Sequence, residues 1–174
     1  FKSPSAWNAR VKSPIELVVG TVRLAGGYDS PTSDVYSHIA ASGYMGQDIY
    51  APPSVEGWMG GADWISTGSM VMRVNFAGEI VGNLENNGVQ EMVSTIRSAA
   101  GNSPTAGSLV NASLASLGSL QVADDTLSGL RDYVNNVIPS PSPNEKHDDT
   151  SNISDEVIAS LLQLIVATRE YQFV

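Results

Sequence analysis

The sequence predicts an all-α fold, an irregular bundle of six to seven helices with one ordered loop rich in proline, glycine and tryptophan. Three observations carry that prediction. Apolar residues recur at spacings of three and four along most of the chain, and no stretch alternates convincingly with a period of two. Helix-start signals stand just ahead of the apolar runs, as in Ser13-Pro14-Ile15-Glu16. Segment 46–64 holds too many prolines and glycines for a long helix or a simple strand.

Residues 1–11 read as a linker-like lead containing Trp7. Ser13 then caps a first helix, Pro14 suits its first position, and Glu16 completes a Ser-x-x-Glu box. Ile15, Val18, Val19 and Val22 form its apolar stripe, and Gly26-Gly27 ends it. Ser30-Pro31 repeats the start signal, with Asp34 in the first turn. Val35, Ile39 and Ala40 are expected to face inward before Gly43 stops this second helix. Thr67 caps a third helix to about residue 82, with Met70, Val74, Ala77 and Val81 on one face and Phe76 and Ile80 beside it.

Asn86-Asn87-Gly88 turns the chain into a fourth helix carrying Val89, Met92, Val93 and Ile96, closed near Gly101. Residues 105–121 repeat Leu109, Leu114, Leu117 and Leu120 among serines and alanines, a weaker helix with an expected kink at Gly118. Asp124-Asp125 opens the next, with Leu127, Leu130, Tyr133, Val134 and Val137. Residues 139–152, three prolines followed by acids and His147, read as a flexible linker. Ser154 caps a terminal helix whose first turn holds Asp155 and Glu156, where the dipole favours acids. Its residues from Val157 to Val166 are apolar nearly all round, the pattern of a helix buried on several sides. Residues 1–174 thus read as a single helical domain.

Composition narrows the function. At 174 residues the chain is long enough to bury a sizeable core, yet only 16% of it is charged, against roughly 25% in an average domain. The net charge is -9, and residues 1–23 hold four of the nine cations with one acid, leaving about -12 on the remainder. Such a surface repels phosphate, and no basic cluster offsets it, so nucleic acid is excluded as a partner. There is no cysteine, hence no disulfide and no thiolate metal site. No apolar run is long enough to span a membrane. Twenty-three serines against three lysines, with the acidity, lean towards an exported or cell-surface protein. A start at Phe1 without a basic-then-apolar leader reads as a processed product or a fragment of something longer.

No strong catalytic motif is present: no nucleophile elbow, phosphate loop, zinc-protease helix or dinucleotide fingerprint. Gly57-Trp58-Met59-Gly60-Gly61 lacks the preceding strand that phosphate cradling needs. Asp34 and His38 stand four apart but have no third ligand in reach, and His147-Asp148-Asp149 reads as a solvated acidic run. No metal or cofactor is expected.

Seven residues stand out as loop-anchoring or ligand-binding: Glu16, Arg23, Gln47, Tyr50, Trp58, Trp64 and Arg73. Arg73 interrupts the apolar third helix, and a buried guanidinium must be paired. It or Arg23 is expected to bond the loop's carbonyls or pair with Glu16, the alternative being a ligand carboxylate or phosphate. Trp58 and Trp64 beside Pro52-Pro53 are expected to plug the loop onto the helices, and with Tyr50 they alternatively form a sugar-stacking platform. Gln47 suits the pinning of a turn. The expected arrangement is a plug over 46–64, floored by the third helix and held by Arg73, Gln47 and one of Glu16 or Arg23.

With those residues in place, the chain resembles the C-terminal part of a mostly bacterial family known as domain of unknown function 1800. The resembling phrases are Val11 to Arg23, Gly46-Gln47 with Tyr50-Ala51-Pro52-Pro53-Ser54-Val55-Glu56-Gly57-Trp58, then Trp64, Arg73 and Asn75-Phe76. Leu161-Leu162 through Glu170-Tyr171-Gln172 is similar to the family's closing segment. The resemblance implies a longer, often exported protein with a further N-terminal helical portion, and no established activity, so it carries over no catalytic residue. It also implies that part of the apolar surface faces that portion.

The expected function is a non-enzymatic binding or assembly module of an exported or cell-surface protein. Its partner is then that N-terminal portion or another surface protein. The alternative is a fragment of an extracytoplasmic, glycan-acting enzyme, with Glu16 and Glu56 as the carboxylates near the motif.

Overall fold

Hydroxyl side chains open three of the helices by reciprocal capping. The Ser13 amide donates to Glu16 Oε2 at 2.7 Å, the Ser66 amide to Ser69 Oγ at 2.8 Å and the Thr105 amide to Ser108 Oγ at 2.9 Å. Each first residue accepts from the backbone N–H of the second, so amides that no helix can satisfy internally are used up. The computed structural model describes residues 9–26, 33–137 and 153–174. The helices are α1 (Pro14–Ala25), α2 (Asp34–Tyr44), α3 (Thr67–Gly82), α4 (Asn87–Ala100), α5 (Ala106–Ser116), α6 (Asp124–Val137), α7 (Asp155–Ala167) and a closing turn, α8 (Arg169–Gln172). The fold is all-α. The expected linker at 139–152, residues 1–8 of the lead with Trp7, and the Ser30-Pro31 start lie outside the described residues.

The terminal helix α7 is the centre of the bundle. It packs against α3, α4, α5, α6 and α8, and Ile158, Leu161, Leu162, Ile165 and Val166 are fully buried. Burying side chains of that size contributes roughly 1.5–3 kcal/mol each. Leu164 is exposed, so the burial expected all round is open on one side. Arg97 fastens the start of α7 to the end of α4, donating to the Ile153 carbonyl and pairing with Asp155.

Four expectations need correction. The buried face of α1 is Leu17, Val18, Thr21 and Ala25, while Val19 of the expected stripe is exposed. Thr21 enters the core because its hydroxyl donates to the Leu17 carbonyl at 2.8 Å and lies 2.9 Å from Tyr171 Oη, leaving no bare polar atom. On α2 the buried residue is Ser42, and Val35, Ile39 and Ala40 are exposed. The expected kink in α5 is a stop: Gly118 and Ser119 take positive φ, and the Leu120 amide reaches back to the Leu114 carbonyl. Finally, Arg10 and Val11, at the end of the expected lead, are paired rather than linker-like. Arg10 exchanges both backbone bonds with Val174, and the Lys12 amide donates to the Gln172 carbonyl, so the two ends of the described chain run antiparallel side by side.

The start of α4 crosses the end of α1 at Gly88. A Cβ there would stand 2.0 Å from the Ala25 carbonyl oxygen and 2.7 Å from the Gly26 carbonyl carbon, both backbone atoms that cannot swing aside. Gly88→Ala is therefore expected to cost about 2–3 kcal/mol by forcing the two helices apart. Gly20→Ala, in the exposed middle of α1 with nothing within 4 Å of the new methyl, is expected to gain about 0.5–1 kcal/mol. Thermal denaturation of the two variants checks the opposite signs.

Candidate functional site

Segment 46–64 folds through a run of tight turns. The Ala51 amide donates to the Asp48 carbonyl, Gly57 to Ser54, Asp63 to Gly60 and Ile65 to Ala62. Gly46, Tyr50, Gly57 and Gly61 supply the positive φ values that these turns need, with Tyr50 at φ 70 as the one strained member. Two side chains tie the segment down. Gln47 Oε1 accepts the Ile15 amide at 2.9 Å, taking one of the donors that the first turn of α1 leaves without an internal partner. Trp64, in the short 3-10 turn Gly61–Trp64, is 5% exposed, and its carbonyl accepts from Ser69 Oγ at 2.8 Å.

The rest of the segment is displayed. Trp58 is 38% exposed, Met59 56%, and Tyr50 and Val55 stand almost wholly in solvent. Trp58 is therefore not the buried plug; Trp64 alone of the two indoles fills that role. The reason is local: Trp58 follows a turn closed on itself between Ser54 and Gly57, whereas Trp64 sits at the mouth of α3, where the chain must dive inward.

Arg73 is fully buried on α3 but does not hold this segment. Its Nε donates to Gln172 Oε1 at 2.9 Å and one terminal nitrogen to the Lys12 carbonyl at 2.7 Å. The other, Nη1, is buried and donates to no described residue. Gln172 in turn donates to the Val166 carbonyl. Lys12 Nζ donates to the Tyr171 carbonyl at 2.6 Å and sits 4.3 Å from the centre of the Tyr171 ring. Burial lowers the pKa of both cations, and for Lys12 the neighbouring Arg73 lowers it further. Glu16 binds neither of them: it is gripped by both arms of Arg10, at 2.7 and 2.8 Å, and by the Ser13 amide. Arg23 lies exposed in the last turn of α1. The seven singled-out residues thus divide among three places: Gln47, Tyr50, Trp58 and Trp64 on the displayed segment, Glu16 and Arg73 on separate tethers near the chain ends, and Arg23 on the surface.

Sequence reasoning missed Lys12, Thr21, Tyr171 and Gln172 as members of the buried polar node. Two phrases far apart in the sequence meet there, and no periodicity announces such a meeting. Glu170 completes the closing turn's role, accepting from the Ala123 amide at 3.0 Å and from Thr126 at the start of α6.

Asp34 and His38 lie on α2. The His38 ring packs edge-on against Phe76 with centroids 5.9 Å apart, joining α2 to α3. Among the described residues no group of three His, Cys, Asp or Glu could hold a metal ion. None of the described helices is long and apolar enough to cross a membrane. Shallow clefts of about 270 and 350 Å³ flank the α5–α6 connection, away from segment 46–64.

Trp64→Ala removes a buried indole and is expected to cost ~3–5 kcal/mol, whereas Trp58→Ala is expected to cost less than about 1 kcal/mol. Chemical denaturation of the two variants checks the split. The Arg10 contacts hold the Glu16 carboxyl down at about 2, against an ordinary 4.5. A depressed carboxylate stabilises the fold fully above its ordinary pKa, and the gain is lost as pH falls from there through about 2. Because the pair is exposed, Glu16→Gln should cost less than about 1 kcal/mol at neutral pH and flatten the acid limb of stability between those values.

No curated protein and no solved structure matches the chain. A family model described as "Protein of unknown function (DUF1800)" matches residues 1–173. That span takes in the paired chain ends, the buried node and segment 46–64 alike, and the chain belongs to this family.

Proposed function

We propose that the chain is a non-enzymatic helical binding or assembly module of an exported or cell-surface protein, and that its contact surface is built from α2, segment 46–65 and the Met72 side of α3. One observation carries the reading. Ten of the fifteen large apolar side chains exposed among the described residues lie on these elements, four on α2, five on 46–65 and Met72 on α3. Exposed apolar residues scattered singly need no explanation, but a concentration in one region of the fold marks a contact surface. The elements concerned are joined: His38 of α2 meets Phe76 of α3, and Met72 lies one turn before Phe76 on that same side. Export is supported by the serine-rich, lysine-poor, acidic composition. Glu16, one carboxylate of the alternative enzymatic reading, is already taken up by Arg10 and the Ser13 amide.

The test uses Ile39→Asp combined with Trp58→Asp. The parent is expected to bind the apolar dye ANS in its native state, and the double variant to lose most of that signal while its melting temperature moves by no more than about 4 °C. A large drop in melting temperature would place these side chains in the core and sink the reading. Cell fractionation of the full-length protein tests export, and recovery with the cytoplasm would overturn it.

A further inference from the structure

The exposed apolar region is also one-signed. From 33 to 72 the sequence has four acids and not one lysine or arginine. The acids Asp48, Glu56 and Asp63 are exposed, and they interleave along the chain with the exposed Tyr44, Tyr50, Val55, Trp58, Met59 and Ile65. Each is fixed by local structure rather than by a salt bridge. Asp48 sits at the turn where the chain leaves α2, its backbone beside Gly43; Glu56 is enclosed in the turn joining Ser54 to Gly57; Asp63 belongs to the 3-10 turn Gly61–Trp64. The cations on either side along the sequence are Arg23, on the last turn of α1, and Arg73, which is buried and committed to Gln172 and Lys12.

Resting on the contact surface proposed above, we infer that its occupant is a cationic amphipathic segment of another protein, apolar on one face with Lys or Arg along its edges. The apolar side chains supply the burial, and the interleaved carboxylates choose the sign of what surrounds it. A second copy of this chain fits poorly, because the same acids would face one another across the contact. An acidic partner is excluded on the same ground. The region's backbone runs through successive tight turns and forms no strand with an edge to extend, so recognition is by side chains and not by strand addition.

Titration calorimetry with two designed helical peptides tests the assignment, one patterned with Leu and Lys and the other identical but with Glu for Lys. The Leu/Lys peptide is expected to bind at least ~10-fold more tightly at low salt, with the gap narrowing as salt rises. Glu56→Gln with Asp63→Asn should weaken that binding by about 3- to 10-fold. Glu85→Gln with Glu91→Gln, two exposed acids beyond α3, should leave it unchanged. Equal weakening by both pairs would reduce the effect to overall charge and overturn the assignment. Equal binding of the two peptides would overturn it too, as would sedimentation showing that the chain dimerises through Trp58. Failure of both peptides to bind, with the dye result intact, would overturn the cationic partner while the contact surface stands.

Discussion

A buried guanidinium bonded to no carboxylate among the described residues is the constraint around which this bundle closes. Arg73 sits on α3 where its neighbours one and two turns on, Ala77 and Val81, are packed away from water. Desolvating such a charge is costly, and among the described residues its hydrogen bonds go to neutral oxygens, the Gln172 amide and the Lys12 carbonyl. Those acceptors come from opposite ends of the described chain. The ends must therefore lie side by side before Arg73 can be buried, and the antiparallel bonds between Arg10 and Val174 and from Lys12 to Gln172 bring that about.

The last turn of the chain consequently acts as a hub. Glu170 holds the start of α6, Tyr171 holds α1 through Thr21 and supports Lys12, and Gln172 holds α3 through Arg73. Three adjacent residues reach three helices because a four-residue helix points successive side chains about 100° apart. Segment 46–64 takes no part in this. It depends on Gln47 and Trp64, with α2 added through Met45 and the His38–Phe76 contact. The stable core and the displayed surface are thus held by different residues, and changes at one leave the other largely intact.

Much of the fold was legible because helix ends are local. The Ser13–Glu16 box, the bounds of α3, the Asn86-Asn87-Gly88 entry to α4 and the Asp124-Asp125 opening of α6 all depend on residues within one turn of each other. The boxes at Ser66–Ser69 and Thr105–Ser108 went unread because serine, rather than glutamate, answers the capping hydroxyl. Inward faces were less legible. Val19 outranks Thr21 on any apolar scale, yet Thr21 is buried, since its hydroxyl finds both a carbonyl and a phenol. Arg73 was recognisable as a buried cation in need of partners, but which carbonyls would meet it depends on how distant segments approach. Trp58 and Trp64 are alike in sequence, and only the self-closing turn ahead of one separates exposed from buried.

The exposed face of α2 shows the same limit from the other side. Val35, Ile39 and Ala40 have the spacing of a core stripe, and sequence periodicity records that a helix face is apolar without recording what covers it. An exposed apolar face and a core are written in the same residues. What distinguishes them is the company they keep. The buried stripes of α4 and α7 meet other helices of the chain, whereas the aromatic and aliphatic residues of 44–65 are punctuated by three acids seven and eight positions apart. Carboxylates spaced in that way would be intolerable in a core, where each would need a paired cation. On a surface they keep copies of the chain apart in solution without preventing apolar contact with a partner of opposite charge. The charge pattern is therefore the part of the sequence that separates a display from a core.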